Sequence, residues 1–245
     1  MRILEGQGVN KYFGGLAAVS NMDFHIDQGE IVGLIGPNGA GKTTLFNLIS
    51  AALPLSSGEI RFKGQKVNGL KPHRICKMGV SRTFQETKIF GNMPVFQNVL
   101  VGAFFGSPNR VSAEDAARGV SQALEFVELS AMSATPVIDL TLVNQKRVEV
   151  ARALATKPEL LLLDELMAGL NPAEVSEAME LVTKIRDTGV TIFMVEHVMK
   201  AIMGICERIV ALHHGEKIAE GTPREIAANK TIIEIYLGEE THAGG

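Results

Sequence analysis

The chain has 245 residues, 46% hydrophobic and 21% charged, with a formal net charge of −3. That balance is ordinary for a soluble globular protein with a sizeable core, and it excludes the basic excess on which a nucleic-acid partner would depend. No apolar run approaches the ~20 residues that span a bilayer, MRILEGQGVNKYFGG lacks the apolar stretch of a signal peptide, and Cys76 and Cys206, far apart and in no CxxC pair, read as small core residues of a reducing compartment.

In chain order, the beginning reads as strands joined by tight turns. In IDQGEIVGLIG the apolar run Ile31–Ile35 follows a turn at Gly29, and SSGEIRFKGQKV alternates like a hairpin strand. KTTLFNLISAAL, from Lys42, reads as a helix. In SAEDAARGVSQALEFVEL, Ser112 with Asp115 three residues on forms a capping pattern. Over 143–156, Val148, Ala151, Leu154 and Ala155 share one helical face, with Thr141 placed to cap it. ELLLLDE is a short, wholly apolar strand of the kind buried on both faces of a parallel sheet. NPAEVSEAMELVTKIRDTG carries Asn171 as cap, Pro172 first, Glu174 third and Gly189 at the stop. VTIFMVEH is a second buried strand, RIVALHHGEKIAEG a hairpin, and THAGG a polar tail. Alternating strands and helices in the second half predict an α/β fold with a parallel sheet, plus antiparallel strands at the front. With no repeat, linker or low-complexity segment, one compact domain over 1–245 is expected.

Gly36, Pro37, Asn38, Gly39, Ala40, Gly41, Lys42 and Thr43 fit the pattern GxxxxGK[ST], after a predicted strand and opening a predicted helix. Backbone N–H groups that wrap phosphate oxygens need close approach and unusual dihedrals, which glycine allows. The helix N-terminus adds a favourable dipole. Lys42 neutralises β/γ-phosphate charge, Thr43 offers its hydroxyl to Mg²⁺, and Thr44 completes the ATP-binding run. Both NK dipeptides, in NKYF and NKTI, lack the aspartate of a guanine-reading NKxD. The apolar strand at 160–163 ends in Asp164, placed to hold Mg²⁺, and Glu165, placed to polarise an attacking water as general base.

With these motifs in this order, the chain resembles an ABC-type ATPase, the nucleotide-binding subunit of an ATP-driven transporter, nearly end to end. The resemblance implies a P-loop NTPase fold: a RecA-like parallel-sheet core, an N-terminal antiparallel β subdomain, an inserted α-helical subdomain at about 90–155, and a C-terminal hairpin and helix at about 208–238. It places Phe13 in KYFGG as the aromatic stacked on adenine, the alternative being a core phenylalanine. Gln85 in RTFQET matches the Q-loop glutamine that contacts Mg²⁺ and the attacking water. Met167, Ala168, Gly169, Leu170 and Asn171 match the D-loop, and His197 in MVEH matches the switch histidine that reaches the γ-phosphate.

FGGLAAV, SRTFQ, MAGLNPAE, VEHVMKAIMGICERI and GTPREI…YLG are most similar to the ATP-binding subunits of branched-chain amino acid (LIV-type) importers, although an ATPase of lipopolysaccharide export shares some of these phrases. The resemblance implies ATP and Mg²⁺, a second ATP-binding subunit in a homo- or heterodimer, transmembrane permease subunits, an external solute-binding protein, no nucleic acid, and a peripheral place on the cytoplasmic face of the cell membrane. The stretch 86–105, rich in Phe, Met and Val, is where family precedent puts the groove for a permease helix. About half of Phe90, Met93, Phe96, Phe104 and Phe105 are expected in the core, where apolar residues default.

The family carries LSGGQ, or LSYGQ in LIV-type subunits, where this chain has Leu140, Thr141, Leu142, Val143 and Asn144. That motif binds the γ-phosphate held by the other subunit through a serine hydroxyl, a glycine N–H and a helix N-terminus. Thr141 keeps the hydroxyl. Val143 sets a β-branched side chain where glycine lets backbone meet phosphate, and it tolerates positive φ poorly. Leu166, where proline is usual, is a milder departure. The leading expectation is an ATPase driving import in a head-to-tail dimer, with this chain as half of an asymmetric pair. The alternatives are a nucleotide-gated binding subunit with little turnover of its own, and an ABC ATPase of another system, in lipopolysaccharide export or in a soluble iron–sulphur or nucleic-acid role.

Overall fold

A computed structural model describes residues 1–85, 88–106 and 111–235. They form two compact units, one of residues 1–70 with 191–235 and one of residues 71–190.

In the first unit, β1 (Arg2–Phe13) and β2 (Leu16–Asp27) make an antiparallel hairpin about Gly14 and Gly15, in keeping with the antiparallel strands expected at the front. β4 (Ser57–Phe62) pairs antiparallel with β1, and the two-residue β5 (Gln65–Lys66) folds back on β4, giving the order β2-β1-β4-β5. β3 (Ile31–Ile35) is wholly buried and parallel to both β8 (Thr191–Val195) and β9 (Arg208–His213). β10 (Glu216–Gly221) closes the predicted hairpin against β9. Five consecutive apolar residues in β3 suit a strand covered on both faces. One cover is α1 (Lys42–Ile49), whose Phe46 ring lies 5.1 Å from that of Phe193 in β8. α7 (Met199–Ile205) and α8 (Pro223–Ala227) also belong to the unit, and the chain is helical again over 230–235.

α1 is shorter than the run KTTLFNLISAAL suggests. It ends at Ile49 because Ala51 adopts a left-handed φ of 54° and donates its N–H to Leu48 O. Pro54 then disfavours helix at the residue before it.

In the second unit, α2 (Pro72–Met78) leads into β6 (Val80–Arg82), which pairs in parallel with β7 (Leu160–Asp164). Between them run α3 (Val95–Gly106), α4 (Ala113–Phe126), two single 3-10 turns and α5 (Leu142–Leu154), with α3 packed on both α4 and α5. α4 opens as predicted, with the Asp115 N–H donating to Ser112 Oγ at 3.0 Å. α6 (Pro172–Asp187) has the full box. Asn171 Oδ1 accepts from the Ala173 and Glu174 N–H groups at 3.0 and 3.1 Å, and the Glu174 carboxylate accepts from the Asn171 N–H at 2.9 Å. α5 departs from expectation at both ends. It begins one residue earlier, with Thr141 at the N-cap position but making no side-chain cap bond, and it stops before Lys157, whose φ of 56° and following proline end the helix.

None of the five apolar residues weighed as a partner surface is fully buried: Phe90, Phe104 and Phe105 are exposed, Met93 and Phe96 half-buried. Asn98, itself fully buried, holds Phe90 in place. Its Oδ1 accepts from the Phe90 N–H, and its amide donates to the Phe90 and Met93 carbonyls. Glu86 and Thr87 of that stretch, Tyr236, Leu237 and Gly238 of the predicted C-terminal helix, and the THAGG tail lie outside the described residues.

Candidate functional site

The first unit carries the phosphate-loop residues. β3 ends at Ile35, and the chain turns at Gly36, where φ is 153° and a Cβ would meet Leu212 O at 2.2 Å. At Gly41, the N-cap of α1, φ is 104° and a Cβ would meet Ala18 O at 2.3 Å. Both positions therefore require glycine sterically as well as conformationally. Asn38 and Gly39 are exposed at the loop tip, while Pro37 and Ala40 are buried beneath it. Lys42 is buried and its Nζ donates to Gly36 O at 2.5 Å and Pro37 O at 2.9 Å, so the ammonium is held over the loop's own backbone. No side chain caps α1, and a helix N-terminus of that kind suits anion oxygens. Thr43 is exposed on that turn and Thr44 half-buried.

Phe13 ends β1 with 47% of its surface exposed, and Lys11 Nζ lies 5.0 Å from its ring centroid. An aromatic face in solvent at a strand end suits stacking on a base and sets aside the core alternative. His197 is exposed just beyond the C-terminal end of β8, after the buried Glu196.

The second unit brings together the acidic pair and the glutamine. Asp164 closes β7. Its backbone N–H donates to Thr83 Oγ1 at 3.1 Å, and its Oδ2 accepts from Arg82 Nη2 at 2.7 Å. Asp164 Oδ1 is buried with no hydrogen-bond partner in the structure. A buried carboxylate oxygen left open while its twin is held fits a divalent cation or a water of its shell. Glu165 follows with φ of 50°, a left-handed backbone uncommon for a residue with a side chain. Its Oε2 accepts from Gln85 Nε2 at 2.8 Å. The Q-loop root is held from α5, where Glu149 Oε1 accepts from the Phe84 N–H at 3.2 Å and Arg152 lies 3.7 Å away. Burial pushes the Glu149 carboxyl above its ordinary value, against the opposing charge of Arg152.

Thr141, Leu142, Val143 and Asn144 form the entry and first turn of α5, with Thr141 and Leu142 exposed and Val143 and Asn144 half-buried. Positive φ is not at issue for Val143: it sits in the helix and has no left-handed backbone. Val143, Lys146, Leu166 and Leu170 line one small cavity between α5 and the D-loop turn.

Three residues of this site were not singled out from the sequence: Arg82, Thr83 and Lys146. Arg82 and Thr83 stand within the quoted SRTFQ, a polar pair next to the Q-loop glutamine. Lys146 gives a weaker signal, a charged residue flanked by polar ones on a helix, and only its burial marks it.

A family model described as ABC transporter matches residues 19–168, and one described as branched-chain amino acid ATP-binding cassette transporter matches residues 216–242. The chain is 38% identical over 250 residues to the high-affinity branched-chain amino acid transport ATP-binding protein BraF of Pseudomonas aeruginosa, covering 97% of this chain and 98% of BraF. It is 40% identical over 251 residues to LivG of Escherichia coli, a protein of the same description, covering 97% and 98%. Among solved structures it is similar to a nucleotide-free ATP-binding cassette of an ABC transporter (TM-score 0.88, 26% identity, 96% of this chain and 99% of that one). An ATP-binding cassette in its ADP conformation matches with TM-score 0.89 and 27% identity over 97% and 99%. A dimeric bacterial ABC transporter cassette matches with TM-score 0.81 and 27% identity over 90% and 99%.

Proposed function

The chain belongs to the ABC transporter family and is one of its ATPases, and from that premise we propose that it hydrolyses Mg-ATP in a head-to-tail dimer to power import of branched-chain amino acids. The observation that carries the chemistry is the Gln85 amide 2.8 Å from the Glu165 carboxylate, beside an Asp164 oxygen that the protein leaves open. Lys42 and the 36–44 loop bind the triphosphate, and Phe13 stacks on the base. Thr43, Asp164 and Gln85 would hold Mg²⁺, which when bound neutralises phosphate charge as the β–γ bond breaks. Glu165 takes the proton of the attacking water, with Gln85 fixing the carboxylate's rotamer. His197 donates to the γ-phosphate.

The substrate class rests on the end-to-end similarity to BraF and LivG and on the match at 216–242. In this reading the permease subunits dock on the 90–105 surface, where Phe90, Phe104 and Phe105 stand exposed, and the chain works on the cytoplasmic face of the membrane. Among the described residues no helix is long and apolar enough to cross it. The altered 141–144 turn favours an asymmetric pair, because exposed Leu142 stands where a partner's nucleotide would approach the α5 N-terminus.

The test is reconstitution of the chain with its permease subunits, a second ATPase and the solute-binding protein in vesicles loaded with ATP. Leucine uptake that needs ATP and stops with Glu165→Gln supports the reading. ATP hydrolysis without stimulation or uptake by leucine, isoleucine or valine would remove the substrate assignment.

A further inference from the structure

Lys146 is a buried cation on α5, 7% exposed. Its Nζ donates to Glu165 O at 3.0 Å and to Leu166 O at 2.7 Å. Those carbonyls adjoin the left-handed backbone of Glu165, whose φ is 50°. A side-chain-bearing residue keeps that conformation only where its surroundings over-determine it. Charge-assisted hydrogen bonds to two successive carbonyls are such a constraint, stronger than neutral ones and fixing the peptide plane on the C-terminal side of Glu165. The Ala168 N–H adds a third contact, donating to Glu165 O at 3.3 Å. A lysine suits the place because its tetrahedral ammonium satisfies several acceptors at once from a flexible stem.

We propose that Lys146 is a positioning residue for ATP hydrolysis: its ammonium locks the left-handed backbone at Glu165 and so aims that carboxylate at the attacking water. The proposal rests on Glu165 acting as the general base. Lys146 touches neither nucleotide nor water and acts only through the Glu165–Leu166 backbone. A displacement of about 1 Å in a base costs on the order of 10²-fold in rate, which sets the scale of the effect.

The experiment is a double-mutant cycle in the assembled transporter, using Lys146→Met and, should that variant fold poorly, Lys146→Gln, which keeps an uncharged N–H donor group. The measurements are kcat, KM for ATP, and ATP affinity by calorimetry. The expected result for Lys146→Met is a loss of ten- to a hundredfold in kcat with KM and ATP affinity within about twofold, and a smaller loss for Lys146→Gln. In the Glu165→Gln background the same change should add less than twofold, because a residue that acts through Glu165 has nothing left to aim. A purely structural role would lower both backgrounds alike. Near wild-type kcat in the variants, a loss that adds in full to that of Glu165→Gln, or a loss confined to ATP affinity would overturn the proposal. Wild-type hydrolysis without leucine transport would count against the substrate assignment and leave Lys146 untouched.

Discussion

Arg82 and Asp164 form an ion pair inside the second unit, with Nη2 2.7 Å from Oδ2 and the two side chains 7% and 1% exposed. The pair exists because β6 and β7 run in parallel register, Arg82 opposite Leu162, which brings the guanidinium to the end of β7. The arginine also lies 5.2 Å from the Phe84 ring centroid. A buried pair gains little net stability over apolar packing, since both charges lose water. What it does here is directional: it holds Oδ2 and leaves Oδ1 without a hydrogen-bond partner, the oxygen that the proposed function gives to Mg²⁺.

Breaking the pair from one side leaves a buried carboxylate uncompensated. Arg82→Met is therefore expected to destabilise the protein by about 3–5 kcal/mol, read by urea denaturation monitored by far-UV circular dichroism. A change within about 0.5 kcal/mol, the range of an ordinary surface substitution, would show that solvent or rearrangement already screens Asp164.

The uneven legibility of this site in the sequence has the same origin. The phosphate loop is readable because its chemistry is local: glycines, a lysine and a threonine in one turn, between an apolar strand and a helix. The box at Asn171 and Glu174 is local too. Arg82 finds Asp164, and Lys146 finds Glu165 and Leu166, through strand register and helix packing, which no short spacing encodes. Val143 misled in another way. Glycine at its place in the family suggests left-handed backbone, but the position lies inside a helical turn, where any L residue fits. The ends of α1 and α5 were misjudged because Ala51 and Lys157 take left-handed φ without being glycine.

Loss of the phosphate-loop cation should be all-or-none. Lys42 is buried and already holds the Gly36 and Pro37 carbonyls, so Lys42→Ala removes both the loop's internal tie and the charge proposed to meet the triphosphate. No ATP binding should be measurable by calorimetry. Near wild-type affinity would refute the assignment of 36–44.

Glu165→Gln separates chemistry from binding. The variant should bind ATP as the wild type does, lose on the order of 10²–10⁴ in turnover, and accumulate an ATP-trapped dimer on size exclusion. His197→Ala should also slow turnover, through lost γ-phosphate contact. Normal hydrolysis by Glu165→Gln in the assembled complex would take Glu165 out of the mechanism.

The β9–β10 hairpin carries a pH signature. Burial alone would raise the Glu220 carboxyl, but the hydrogen bonds and charges of Lys217 and Arg208 outweigh it and hold Glu220 below its ordinary value. A carboxyl depressed in the fold stabilises it above the unfolded pKa, and that contribution is lost as pH falls through the depressed folded value. Thermal midpoints of wild type and Glu220→Gln should therefore differ most near neutral pH and converge below the ordinary carboxylate range. A constant gap across pH would mean that the network contributes through packing alone.

Val143→Gly tests the altered α5 turn by setting two effects against each other. The valine side chain lines the cavity with Leu166 and Leu170, so deleting it removes packing and puts glycine in a helix. That is expected to destabilise the protein by about 1–3 kcal/mol. Because the Val143 N–H already lies in a helical first turn, glycine creates no new donor and only lets a partner's phosphate come closer. The gain in turnover of the isolated chain should then be at most about tenfold, less than the 10²–10³ that one missing oxyanion donor costs. The wild-type chain alone should be a weak ATPase, rising strongly with a partner that carries an unaltered signature. Turnover of wild type and Val143→Gly, measured side by side with Glu165→Gln as blank, decides it. Brisk hydrolysis by the wild-type homodimer, unchanged by the glycine, would show that valine is tolerated and that the pair need not be asymmetric.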